Sequence, residues 1–137
     1  MKNEKLHIRV IEYLNLVKKK SLKMQKWSKF LNNLHSSKYE ISIGIVGKYI
    51  ELHDAYKSIS ESLIHAGANL NSKVKIKWIQ SDKITTKNAN NKLKKLDGII
   101  VPPGFGNRGI NGKIITIKFS RLNKIPFFGK HRAASLI

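Results

Sequence analysis

Ile41-Ser42-Ile43-Gly44-Ile45-Val46-Gly47 is the stretch that decides the fold. It is short, apolar and rich in β-branched residues, and Gly47 closes it, so it reads as a buried strand rather than a helix. Asp54 then offers a cap for a helix running to about Ala66, with Ala55, Ile59, Leu63 and Ala66 inward and Gly67 ending it. Val74 to Ile79 is a second strand, Asn88 to Lys95 a weaker polar helix, and Gly98 to Val101 a third strand stopped by Pro102 and Pro103. Gly112 to Leu122 makes another helix, and Pro126 to Gly129 a fourth, very short strand. Strands separated by helices of this length require parallel units with right-handed crossovers. The expected class is therefore α/β: a partial doubly wound, mainly parallel sheet. Ligands of such sheets sit at the carboxyl ends of the strands, here Gly47-Lys48, Val101 to Gly106, and Gly129 onward.

Upstream, Lys5 to about Leu34 has helical periodicity. Leu6, Val10, Tyr13, Leu14 and Val17 form one stripe, and Trp27, Phe30, Leu31 and Leu34 a second. Lys18-Lys19-Lys20-Ser21 interrupts them, which predicts two short amphipathic helices or a helix and a loop. Such a stripe cannot bury itself and must pack on the following domain or on a partner. His35 to Lys38 reads as a linker, so residues 1–38 form a helical connecting segment and 39–129 the α/β part.

Composition narrows the chemistry. The 137 residues include no cysteine, which excludes disulfides, thiolate metal sites and a thiol nucleophile carried by these residues. No apolar run approaches the roughly 20 residues that span a bilayer, and MKNEKLHIRV lacks the apolar core of a secretory signal. A cytoplasmic location is expected. The net charge of +19 attracts phosphates. However, the basic residues are spread out, mostly Lys, and accompanied by Ile and Asn from similarly AT-rich codons, which favours codon bias over a nucleic-acid footprint. His7, His35, His53 and His65 have no metal-ligand spacing, and no phosphate-binding P-loop pattern is present.

The most informative loop is Val101-Pro102-Pro103-Gly104-Phe105-Gly106-Asn107-Arg108-Gly109. It leaves a buried strand and places glycines where side chains would block close approach to the backbone. Exposed N–H groups in such a turn can stabilise a developing oxyanion. In isolation the pattern reads far more readily as an ordinary Gly/Pro turn, and its glycine spacing does not fit a dinucleotide fingerprint.

The order of segments is more specific than the loop. Ile43-Gly44-Ile45-Val46-Gly47-Lys48-Tyr49-Ile50-Glu51-Leu52-His53-Asp54-Ala55-Tyr56-Lys57-Ser58 is followed by His65-Ala66-Gly67 and by Leu96 to Pro102. Then come Gly104-Phe105-Gly106, Arg108-Gly109, Gly112-Lys113 and Asn123 to Gly129. From about Trp27 to Gly129 the chain resembles the CTP synthase family. The resemblance implies the fold of a class I glutamine amidotransferase, which is flavodoxin-like, joined in the whole family to an ATP-dependent amidoligase domain. The family makes CTP from UTP with ATP, Mg and ammonia released from glutamine, and GTP acts as effector. By resemblance Gly104 takes the glutamine-binding, oxyanion position and Phe105 and Arg108 the effector loop. Tyr49 and Lys57 would lie near the interface with the amidoligase domain. Packing alone could also explain Tyr49 and Tyr56, and Lys57 could be a solvated helix charge.

Two departures follow. Pro103 stands where many members have glycine, and proline fits a turn entry although it removes an N–H. After Gly129 the family continues Ile-Cys-Leu-Gly-Met-Gln, whereas this chain reads Lys130-His131-Arg132-Ala133-Ala134-Ser135-Leu136-Ile137. His131 thus occupies the position of the nucleophilic Cys, and an imidazole cannot form the acyl-thioester. The resemblance therefore implies a truncated, inactive CTP synthase with a divergent tail over 130–137 of the kind a frameshift produces. No catalytic residue, metal ligand or cofactor is expected in it. The alternatives are a subunit of a split enzyme completed by a polypeptide carrying the missing domains, and, third, a basic nucleic-acid binder. No oligomer is assumed.

Overall fold

The computed structural model describes residues 6–16, 24–104 and 106–130. Val17, the Lys18–Ser21 break, Phe105 and His131 lie outside the described residues. The order of elements is α1 (Leu6–Tyr13), α2 (Gln25–His35), β1 (Tyr39–Gly47), α3 (Lys57–Asn69), β2 (Ser72–Gln80), α4 (Ala89–Leu93), β3 (Gly98–Val101), α5 (Ile110–Leu122) and β4 (Phe127–Gly129). The four strands form one sheet in the order β2-β1-β3-β4, with every pairing parallel. This is the expected α/β class.

The strand alternation explains the layers. On β1 and β2, Ile41, Ile43 and Ile45 lie in register with Val74, Ile76 and Trp78. They share one face because successive side chains alternate. Helix α3 closes this face, with Gly67 packed against Ser72 and the Val74 side chain. Val46 and Ile79 point to the other face, into a core with Ile84, Ala89, Leu93, Leu96, Ile99 and Val101. Burying each such side chain contributes roughly 1.5–3 kcal/mol. Helix α2 rides on α3: Phe30 stacks with Trp27 at 5.3 Å and meets the His65 ring edge-on at 5.2 Å. Asn33 donates to the Ala68 carbonyl at 2.9 Å.

Several boundaries differ from expectation. Asp54 caps no α-helix; it lies in a single 3-10 turn, His53–Tyr56, and α3 begins at Lys57. Gly67 does not end α3 but lies buried inside it, because a side chain there would meet the Ser72 backbone. The inward stripe is Ile59, Ser60, Leu63, Ile64, Gly67 and Ala68, while Ala55 and Ala66 are exposed. The polar helix shrinks to Ala89–Leu93, since only Ala89 and Leu93 of it reach the core. Helix α5 starts two residues earlier than expected, after Gly109 in a left-handed conformation. Helix α1 buries no residue and α2 buries none fully.

Candidate functional site

The carboxyl ends of β1 and β3 lie side by side, and the loop after Val101 passes between Lys48 and the first turn of α5. Two lysines hold it. Lys113, one turn into α5, donates from Nζ to the Pro102 carbonyl at 2.9 Å. Lys48, just beyond β1, donates from Nζ to the Gly106 carbonyl at 2.6 Å. Both residues are only 5% exposed. The loop is therefore tethered by an ammonium group on either side of Gly104.

This arrangement has an electrostatic consequence. Burial lowers the Lys113 pKa below the ordinary lysine value of 10.5, and the nearby Lys48 charge lowers it further. Two like charges in one niche are costly unless hydrogen bonds satisfy them, and backbone carbonyls do so here. The result is a local concentration of positive charge beneath the loop, of the sign that favours a carboxylate or a developing oxyanion.

At Gly104 an added side chain would meet its neighbours without a clash. A Cβ built on it would sit 3.5 Å from Lys113 Nζ and 3.5 Å from Lys48 Cδ, ordinary contact distances, and its φ is not left-handed. The fold itself would thus accept alanine there. Gly109 and Gly112 are different. Gly109 has φ +73°, and a Cβ on Gly112 would run into the Ser81 carbonyl oxygen. Their glycines are demanded by the docking of α5 against the Ser81–Lys83 turn.

Arg108 ties the rim together. Its guanidinium donates to the Lys48 carbonyl at 3.3 Å, pairs with Asp82 at 3.5 Å and lies 6.0 Å from the centre of the Tyr49 ring. The Arg108 side chain is 61% exposed, so the ion pair with Asp82 adds little stability. Tyr49 is half exposed, and Lys57 lies exposed at the start of α3. The structure thus brings Gly104, Arg108 and Tyr49 to one end of the sheet. Lys57 is on the following helix. Tyr56 is a packing residue: it is buried, and its hydroxyl accepts from the Tyr49 N–H at 3.3 Å.

Sequence reasoning missed Lys48, Lys113 and Asp82 as parts of the site. A signal for Lys113 was available. It falls on the same stripe as Gly112, Thr116, Ile117 and Ser120, all buried, and a lysine on the inward face of a helix needs a polar partner. Thr116 and Ser120 on this stripe satisfy their hydroxyls by donating to carbonyls four residues back, at 2.7 and 2.8 Å. Ser81 Oγ, also buried, has no hydrogen-bond partner among the described residues.

Comparison with known proteins identifies the family and fold. The family profile "Glutamine amidotransferase class-I" matches residues 51–129, more than half of the chain. The chain belongs to the class I glutamine amidotransferase family. Within it, the similarity runs to CTP synthases. The chain is 50% identical over 129 residues to a CTP synthase of Cytophaga hutchinsonii, covering 94% of this chain and 24% of that protein. A Clostridium acetobutylicum CTP synthase is 52% identical over 104 residues, covering 76% of this chain and 19% of that protein. The glutaminase domain of Trypanosoma brucei CTP synthase, solved with bound acivicin, superposes with a TM-score of 0.64 at 33% identity. That match covers 70% of this chain and 38% of the other. The chain therefore spans about a quarter of the length of its curated relatives. Among the described residues no helix is long and apolar enough to cross a membrane.

Proposed function

We propose that these residues carry the glutamine-facing loop of a CTP synthase-type glutaminase and, lacking cysteine, do not hydrolyse glutamine by themselves. The observation that carries the reading is Gly104 itself, a glycine not required by packing, set between two buried lysines whose ammonium groups fix the loop. In this reading the Gly104 backbone faces the substrate amide. Lys113 and Lys48 hold the loop in shape, and Phe105 and Arg108 belong to the effector loop by resemblance. Tyr49 and Lys57 face a neighbouring domain. The nucleophile, its His/Glu partners and the ATP- and Mg-dependent amidoligase reaction lie outside these residues. The same reading places the chain in the cytoplasm, with CTP formation as the activity of the whole protein.

Calorimetric titration with glutamine tests the binding role. Weak binding that Gly104→Ala abolishes, without loss of the folded state, is expected; equal binding by both proteins would remove Gly104 from the site. An ammonia-release assay tests the inactivity: glutamine turnover by the pure chain would overturn it.

A second reading, a split enzyme, is favoured by one observation. Strand β4 is an outer strand among the described residues, and Phe128 on it is 62% exposed. A companion polypeptide bearing the nucleophile would cover that edge. Co-expression that restores glutamine-dependent CTP formation supports it, and failure to associate rejects it.

A further inference from the structure

The opposite edge of the sheet carries a feature that the glutaminase reading does not use. Strand β2 is the other outer strand, and along it Lys73, Lys75 and Lys77 are exposed while the intervening residues turn inward. Alternation places the three lysines on one face at steps of about 6.6 Å. That face is the one on which Ile79 and Leu96 lie, since both side chains approach Gly44, the register partner of Lys77. Helix α3 packs on the reverse face, against Val74. The lysine row is therefore left uncovered by α3 and α2.

The neighbours on β1 keep the row accessible. Lys75 and Lys77 lie beside Ser42 and Gly44, residues too small to screen them. Lys94 and Lys95, both exposed, immediately precede Leu96 where it crosses Gly44, and add charge to the same side. Two carboxylates oppose them. Glu40 pairs with Lys75 at 2.7 Å, and Asp97 accepts from the Ser42 N–H at 2.7 Å. Both partners of the Lys75 pair are about half exposed, so that pair is weak and readily exchanged for another anion. The face retains a clear positive excess, in a chain whose overall charge is +19.

We propose that the Lys73-Lys75-Lys77 row is a binding surface for the phosphate backbone of duplex nucleic acid, blind to base sequence. A regular row of ammonium groups complements a regular row of phosphates, and each contact releases counterions. The row has no aromatic side chain between its lysines. Trp78 points to the other face, where it lies 5.9 Å from the Tyr56 ring. Without a stacking platform, unpaired bases gain nothing from this surface, and phosphate contacts alone carry no sequence information.

Fluorescence anisotropy with a labelled duplex of arbitrary sequence, titrated at several salt concentrations, tests the proposal. The unaltered chain should bind with affinity falling steeply as salt rises. Replacing Lys73, Lys75 and Lys77 together by Gln should make the log–log salt slope shallower by about 2 to 3, at roughly 0.9 per lost phosphate contact. An equal charge removed from the reverse side, by Gln at Lys26, Lys29 and Lys57, is the control and should leave the slope nearly unchanged. Similar losses from the two triple variants would mean diffuse attraction and overturn the proposal. So would strong preference between two unrelated duplexes, or tighter binding of inorganic polyphosphate than of DNA. Lysines also guard outer strands against pairing. A β2 variant that self-associates, with no change in DNA binding, would assign the row to that role instead. Circular dichroism of both variants confirms that the fold persists.

Discussion

Gly104 and Gly112 lie on either side of the same loop-to-helix junction and answer to different demands. At Gly112 the helix backbone lies so close to the Ser81 carbonyl that no side chain fits. At Gly104 a methyl group fits, at ordinary distances from two lysine side chains. The first region is shaped by the protein's own packing. In the second, packing alone does not require a glycine. A glycine that packing does not demand, flanked by buried charge, is the one to test for a role beyond the fold.

The comparison can be broken most directly at Gly112. Gly112→Ala should destabilise the fold by about 3 kcal/mol, because the obstacle is backbone rather than a flexible side-chain tip. Urea unfolding would measure it, and a loss below about 1 kcal/mol would show that α5 can shift away from the Ser81 turn at little cost.

Lys113 comes next. Lys113→Met removes a buried ammonium but leaves the Pro102 carbonyl without its donor, so a net loss of about 1 kcal/mol is expected. The pH dependence is the sharper readout. Because the folded-state pKa of Lys113 is lowered, the unfolded chain binds the extra proton between that value and 10.5. Stability contributed through this group therefore rises with pH across that window and is lowest below it. Urea unfolding of native and Lys113→Met proteins from neutral pH to about 10 should show this rise in the native protein only. Parallel curves would mean that Lys113 is not perturbed.

The smallest effect is expected at Gly104. Gly104→Ala should change stability by less than about 0.5 kcal/mol while removing glutamine binding. A large loss of stability would merge the two glycines into one structural class.

Much of this arrangement was legible in the sequence. The run from Ile41 to Val46 and the Gly98–Val101 segment carried enough β-branched, apolar character to identify parallel buried strands, and the sheet confirms them. The loop after Val101 was legible as a Gly/Pro turn leaving a buried strand, and its reading as a site rests on the resemblance, not on composition. The helix ends were not legible. Gly67 looks like a stop signal, yet it is the residue that allows α3 to lie against β2, a tertiary reason invisible to local pattern. Lys48 resembles the many solvated lysines of this chain, and only the fold reveals that it is buried beneath a loop, whereas Lys113 had a signal in the inward stripe of α5.

The uneven register of the sheet has a consequence for how the chain acquires its structure. Strand β1 pairs with β2 along its whole length, from Tyr39–Ser72 to Gly47–Gln80, but meets β3 only from Ile43 to Ile45. The β1-α3-β2 unit is thus continuous in sequence and joined by the longer ladder, whereas β3 and β4 attach through short ones. A ribosome delivers residues 39–80 first, so this unit can assemble while the segment bearing the lysine-tethered loop is still being synthesised. Amides of β1 and β2 should accordingly exchange with solvent more slowly than those of β3 and β4. The loop after Val101 is thus anchored to the part of the sheet that forms later and opens sooner.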